Sequence, residues 1–452
     1  MNQPMRILVF SILLLCLFLL SSAFAGVTER LSVDSNGSQV DGASWSTGLS
    51  ADGRYVVFTS LATDLVPGDT NDAADVFVHD RVTGATMLVS VDSNGVQGNG
   101  PSGSDWIGFQ TIASPAVSAD GRFVAFTSMA TNLVAGDTND EVDVFVHDCI
   151  TGLTERVSVD SHGAQGNARS GYQSVTISAD GRIVAFDSWA TDLVPGDTNG
   201  ASDIFVHDRE TGQTTRVSVD SNGYEANAGS WASALSADGA WIAFDSFASN
   251  LVPGDMNANS DVFVHGIEMG QTVRVSVAAG GTEANGGSLL PSICANGTRV
   301  VFQSNATNLV TEHVTDEHVY LHDLGTGDTV LVSLDERGRP MPNPSNLLLQ
   351  KQLSGDGRFV IFTSYGTAFP PPPSRVFVHE LACRQSTLVA VNSNGDPAQE
   401  SDFGSLSYDG QLCAFASWGD NLVPGDTNGA VDIFGHRPST LHMDGVPKYP
   451  SR

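Results

Sequence analysis

Carboxylates and carboxamides at a repeated spacing are the first residues in this chain that could do chemistry. A Gly-Asp-Thr-Asn phrase, or a variant of it, is followed by a second Asp that opens an apolar run. It recurs as Asp69/Asn71/Asp75, Asp137/Asn139/Asp143, Asp197/Asn199/Asp203, Asp255/Asn257/Asp261 and Asp426/Asn428/Asp432. Asp-x-Asn sets two side-chain oxygens on one side of a turn, with backbone carbonyls between them. Hard cations such as calcium take about six to eight oxygen ligands, so calcium held by these residues is one reading. The spacing lacks the further acids and the bidentate carboxylate of a complete loop. The other reading is structural: the first Asp or Asn closes an Asx-turn, and the last Asp bonds backbone amides where the next strand begins.

Histidine recurs as well, in Val-Phe-Val-His-Asp and its variants, at His79, His147, His207, His265, His322, His379 and His436. One histidine per repeat, far from any common axis, forms a wide ring that cannot converge on one ion. A repeated buried hydrogen bond is expected instead, from His207 to Ser188 or to a turn carboxylate. His313 and His318, beside Glu312, Asp316 and Glu317, make a looser group of transition-metal type. Cys149, Cys294, Cys383 and Cys413 fall at unrelated repeat positions without Cys-x-x-Cys spacing, so unpaired thiols are expected. No Gly-x-Ser-x-Gly elbow and no phosphate-cradling Gly loop occurs. No catalytic residue and no organic cofactor is therefore assigned.

The elements that must position these residues are strands. Ser-Val-Asp-Ser-Asn-Gly and its degenerate copies place a marker at Asp34, Asp92, Asp160, Asp220, Ala278, Asp335 and Asn392. Ser-Ala-Asp-Gly and its weaker versions end at Gly53, Gly121, Gly181, Gly239, Gly297, Gly357 and Gly410. Within one unit, residues 173–178, 182–188, 203–208 and 214–219 read as four strands, a to d, joined by a tight turn, a long b–c loop and a second tight turn. Strand b is apolar on both faces, as in Ile183-Val184-Ala185-Phe186, which suits burial between neighbouring sheets. Seven such units predict an all-β fold, a seven-bladed β-propeller. The chain opens on a d-type strand, 28–33, and its last unit reaches only strand c, so the N-terminal strand is expected to complete blade seven.

Ser178-Ala179-Asp180-Gly181-Arg182-Ile183-Val184-Ala185-Phe186-Asp187-Ser188 and Asp203-Ile204-Phe205-Val206 resemble the WD40-like (PD40) repeat of TolB-type propellers. The resemblance runs from Gly26 to His436 and implies the fold more than an activity, since such repeats serve both periplasmic adaptor proteins and the propellers attached to serine peptidases. Seven units depart from the six blades usual in TolB.

Arg6, the apolar run Ile7 to Leu20 and Ala23-Phe24-Ala25 read as a secretory leader over residues 1–25, with the propeller over 26–436 and a tail over 437–452. The mature protein is thus expected to be secreted or periplasmic, not integral to a membrane, and monomeric. With 51 acids against 21 bases, a formal net charge of -30, nucleic acid is excluded as a partner. The b–c and d–a connections are the long ones, so their face is the expected working surface. A non-enzymatic scaffold binding a protein or peptide there, steadied by calcium, is the leading expectation. A hydrolase or lyase with carboxylates at the channel mouth, or a calcium-dependent glycan-binding module, is the alternative.

Overall fold

The computed structural model describes residues 26–103, 113–335, 337–341, 345–346, 352–364 and 373–438. The expected leader, 1–25, and the tail from residue 439 lie outside them. Seven four-stranded antiparallel sheets stand in a ring. Blades 1 to 6 span 44–88, 116–156, 170–216, 230–274, 288–331 and 345–388, and blade 7 combines 401–437 with the N-terminal strand. Among the described residues no helix is long and apolar enough to cross a membrane.

Blade 3 shows how sequence becomes sheet. Its strands are Ser170–Ile177, Ile183–Ser188, Asp203–Asp208 and Gln213–Arg216. The a–b turn is held by Ser178, whose Oγ donates to Asp180 and accepts from the Ile183 amide, while Gly181 supplies the left-handed residue at φ 75°. A Cβ on Gly181 would meet the Phe123 ring of blade 2 at 2.1 Å, so the turn also needs glycine to approach its neighbour. Strand b is buried on both faces, with Val184, Ala185 and Phe186 at 0% exposure. Phe186 packs on Phe205 of strand c with centroids 6.2 Å apart, and Phe58–Phe77, Phe126–Phe145 and Phe244–Phe263 repeat that pair in blades 1, 2 and 4.

Two devices close the ring. Strand Val27–Arg30 pairs antiparallel with Asp432–Arg437, Thr28 opposite His436, as expected from the missing seventh outer strand. The second device was not legible in the sequence. On the a–b turn face the residue after the turn serine, or after Cys294 in its place, hands its amide to the next blade: Ala51 to Ala119, Ala119 to Ala179, Ala179 to Ala237, Ala237 to Ala295 and Ala295 to Gly355. Asp356 to Tyr408 and Tyr408 to Ala51 complete the circuit. This girdle rims the axial channel, whose walls carry the hydroxyls of Thr47, Ser174, Ser233 and Ser292 above an aliphatic belt.

Each Ser-Asn-Gly turn lies against the outer strand of the following blade, not on the loop face. Ser35 Oγ accepts from the Thr86 amide, and Ser221 does the same for Thr272. The unpaired edge of strand d is thereby covered. The expected working face reduces to the b–c loops and the linker segments beside them.

Candidate functional site

In blade 1 the b–c loop folds on its carboxamide. Asn71 Oδ1 accepts from the Ala73 amide, an Asx-turn, with Asp72 left-handed at φ 53°. Asn71 Nδ2 donates to Asp75 Oδ2 at 2.9 Å and to the Gly98 carbonyl at 3.0 Å. Asp75 is buried, and its Oδ1 accepts from Ser90 Oγ at 2.5 Å, while that Oγ accepts from the Val76 amide. Asp75 therefore reaches the strand-c backbone through a serine. Burial raises its pKa to about 6 despite these donors.

The sequence-assigned residues converge in all five loops, and each convergence includes partners that the sequence reading missed. Gln97 Nε2 donates to Asp69 at 2.7 Å and to Asp75 at 2.8 Å, filling the gap between the two acids. Gln165 does this for Asp137 and Asp143 at 2.9 and 2.8 Å, beside Asn139. Gln39 does it for Asp426 and Asp432 at 2.8 and 3.1 Å, beside Asn428. In blades 3 and 4 the amide is replaced by a carboxylate, Glu225 and Glu283. One oxygen from each of Asp197, Asp203 and Glu225 lies within 4.8 Å of the others, and the same holds for Asp255, Asp261 and Glu283. Asn199 and Asn257 keep their bonds to Asp203 and Asp261, at 2.9 Å each.

Arginines from strand d complete four of these loops. Arg30 reaches Asp426 and Asp432 at 3.2 Å each, and Arg156 reaches Asp137 at 3.5 Å and Asp143 at 3.4 Å. Arg216 and Arg274 spend their closest contacts on Glu225 and Glu283, at 2.5 and 2.6 Å. Blade 1 has Leu88 at that position, from the pairing with Phe77 that matches Phe145 with Arg156. The signal was present as a recurring Arg-x-Ser, and as a Gln or Glu downstream of the marker Asp, but nothing in the sequence says which loop those residues face. Blades 5 and 6 drop the set, with Pro340 and Pro397 in the amide's place. His318 takes the final aspartate's place in blade 5 and turns inward onto Ser333 Oγ at 2.9 Å, while His313 is exposed, so the two do not converge.

The histidine ring is buried as expected, but its partner is neither Ser188 nor a carboxylate. Nδ1 of His79, His147, His207, His265 and His322 meets the Oγ1 of Thr86, Thr154, Thr214, Thr272 and Thr329 across to strand d at 2.8 to 2.9 Å. His379 uses Ser386, and His436 uses Thr28 of the clasp strand. Each of those threonines donates its only proton to a carbonyl of the preceding blade, as Thr214 does to Val159 and Thr28 to Val391. The imidazole Nδ1 must then be the donor, which sets the neutral tautomer. Burial lowers these pKa values, to about 4 for His265, His379 and His436. The four cysteines are free; Cys294 fills the place of the turn serine, accepting the Arg299 amide at 3.2 Å.

Residues that break the repeat cluster near the channel in blades 3 and 4. Opposite the second residue of strand c, strand b carries Thr59, Thr127, Asp187, Asp245, Gln303, Thr363 and Ala416 in turn. Asp187 Oδ1 accepts the Gln173 and Ser174 amides where strand a bulges, and Asp245 Oδ1 accepts the Leu290 amide of blade 5. Both acids are buried. Burial is the main cause that raises them, Asp187 to about 6 and Asp245 to about 8, and Asp187 adds a repulsion at Asp245. At the rim above them, the Arg169 guanidinium stacks on Tyr172 at 4.4 Å and Trp189 at 5.3 Å, and Trp231 meets the exposed Phe247 edge-on at 5.8 Å.

No protein-family model and no curated protein matches the sequence. Among solved structures the chain is similar to an oligogalacturonate lyase from Vibrio parahaemolyticus, at 13% identity and TM-score 0.53, over 91% of this chain and 98% of that one. The β-propeller domain of the Trilobed protease from Pyrococcus furiosus matches at 10% identity and TM-score 0.53, over 90% and 98%. The likeness is one of fold. TolB from Acinetobacter baumannii also matches, at 13% identity and TM-score 0.40, over 77% of this chain and 64% of that one.

Proposed function

We propose that the chain is an exported, non-enzymatic scaffold that holds a protein or peptide partner across the b–c loop face, over the rim of blades 3 and 4. The observation that carries this reading is two ring contacts on adjacent blades, Arg169 on Tyr172 and Trp189, and Trp231 on Phe247. Trp189 and Phe247 fill the repeat position held by Trp418 in blade 7, and Trp231 the one held by Trp45 in blade 1, whereas Tyr172 lies in, and Arg169 just before, a strand a of 8 residues where blades 1 and 4 have 6. Charge narrows the partner. Segments 61–74, 129–142, 189–202, 247–260, 305–317, 365–374 and 418–431 contain no lysine or arginine, and Asp64, Asp72, Asp140, Glu141, Asp192 and Asp420 are exposed in them. Acidic loops around an aromatic rim suit a basic segment whose Lys or Arg side chains lie on the rings.

The hydrolase or lyase alternative rests on Asp187 and Asp245, the one non-repeating pair of carboxylates beside the channel among the described residues. They are 0% and 3% exposed, Oδ1 of each accepts from backbone amides, and Asp187 Oδ2 has no hydrogen-bond partner. A peptide array graded in charge, run beside a glycan array, tests the proposal. Basic peptides are expected to bind, and Trp189→Ala with Phe247→Ala should weaken them about tenfold or more. Binding to glycans alone, or turnover of a glycan or peptide at enzyme rates, refutes it.

A further inference from the structure

In the loops of blades 1, 2 and 7 one carboxamide supplies two N–H donors to two aspartates: Gln97, Gln165 and Gln39 each bond an Oδ1 of the first Asp and an Oδ2 of the last. Blades 3 and 4 put an acceptor where that donor stands. Glu225 turns its oxygens to the Thr198 amide and hydroxyl, at 2.9 and 2.7 Å, and to Arg216. Asp197 Oδ1, the counterpart of the oxygens bonded by glutamine elsewhere, is left buried with no hydrogen-bond partner, on a side chain only 2% exposed. An unpartnered buried carboxylate oxygen facing two more carboxylates is costly unless something positive sits there.

Arg216 does not meet that need. Its Nη1 stands 3.7 Å from Asp197 and 3.6 Å from Asp203, beyond hydrogen-bond reach, and its close contact goes to Glu225. Arg274 Nη1 stands 3.5 Å from Asp255, beyond hydrogen-bond reach, donates to Asp261 Oδ2 at 3.3 Å, and keeps its closest contact, 2.6 Å, for Glu283. Three carboxylates against one guanidinium leave each triad two negative charges in excess, the charge of one divalent ion. Blades 2 and 7 have two carboxylates, one guanidinium and one amide, with each acid supplied with a donor.

We infer that blades 3 and 4 each hold one hard divalent cation of the calcium class, between Asp197, Asp203 and Glu225 and between Asp255, Asp261 and Glu283, and that the three glutamine-filled loops hold none. Carboxylate oxygen is the ligand such ions prefer, and waters at the open side of the loop complete the shell. The glutamates are thus the discriminating residues: the Asp-x-Asn phrase is shared by all five loops and does not by itself define the site.

Calorimetric titration of calcium chloride into the chelator-stripped full-length chain at pH 7.5 tests this. Two ions per chain are expected, with a rise in melting temperature. Glu225→Gln with Glu283→Gln should abolish both while leaving the metal-free melting temperature unchanged or higher, because glutamine restores the donor pair found in the other blades. Each single substitution should leave one ion. No heat and no melting shift for the wild-type chain at millimolar calcium overturns the inference, as does undiminished binding by the double variant.

Discussion

Asp245→Asn is the substitution whose effect can be worked furthest from the structure. Asp245 is 3% exposed, its Oδ1 accepts the Leu290 amide at 3.2 Å and its Oδ2 accepts from Ser260 Oγ at 3.4 Å. Asparagine keeps the first bond through its own Oδ1 and offers the serine a donor in place of the second acceptor. Burial raises the Asp245 pKa from 3.8 to about 8. Between those values the native state holds a proton that the unfolded chain has released, so the wild-type protein loses stability as pH rises through that window. At about 1.36 kcal/mol per pH unit, the aspartate costs at most about 6 kcal/mol above pH 8, about 4 at pH 7 and about 2 at pH 5. The asparagine side chain does not titrate, so the variant is expected to be more stable than wild type by a margin that widens with pH and levels off above 8. Guanidinium unfolding of both proteins at pH 5, 7 and 9 measures that margin. A margin that does not change with pH, or a variant less stable at pH 9 than at pH 5 relative to wild type, would show that Asp245 is not the buried acid described.

Three further outcomes concern the clasp strand, a buried histidine and one a–b turn. Thr28→Val should orphan the His436 Nδ1–H and the Val391 carbonyl, costing about 1–3 kcal/mol in melting experiments and speeding proteolysis of the N-terminal strand. His265 has its pKa lowered by burial from 6.5 to about 4, so it contributes a loss of stability as pH falls between those values. Relative to wild type, His265→Gln should therefore gain up to about 3 kcal/mol between pH 6.5 and 4, read by denaturant unfolding. Cys294→Ser should change stability by no more than about 0.5 kcal/mol, because Ser178 and its counterparts already make the same turn bonds; thermal unfolding under reducing conditions checks it.

The fold was legible because it is written seven times. Strand b, apolar on both faces, can be buried only between sheets, and the missing seventh outer strand left one place for the N-terminal strand, which the pairing of Thr28 with His436 fills. The strand edges were less so: the outer strand expected over 214–219 ends as a strand at Arg216, because the chain turns at Val217 to Val219 toward the next blade, where the Val219 carbonyl takes the Thr272 hydroxyl. The histidine partners were misassigned for a similar reason. His207 lies beside Thr214 through a two-strand register, and Thr214 bonds Val159 through a blade interface, and neither contact is visible in the residues around the histidine.

The acidic loops divide the same way. Their repetition, and the chemistry of Asp-x-Asn, could be read from the chain alone. Which of the five has room for a cation was decided by tertiary structure, because the deciding residue, Gln97 in one loop and Glu225 in another, arrives from the linker after strand d. A hydrogen-bond donor satisfies a carboxylate only within about 3 Å, and that distance is set by how the chain returns, not by how it is written.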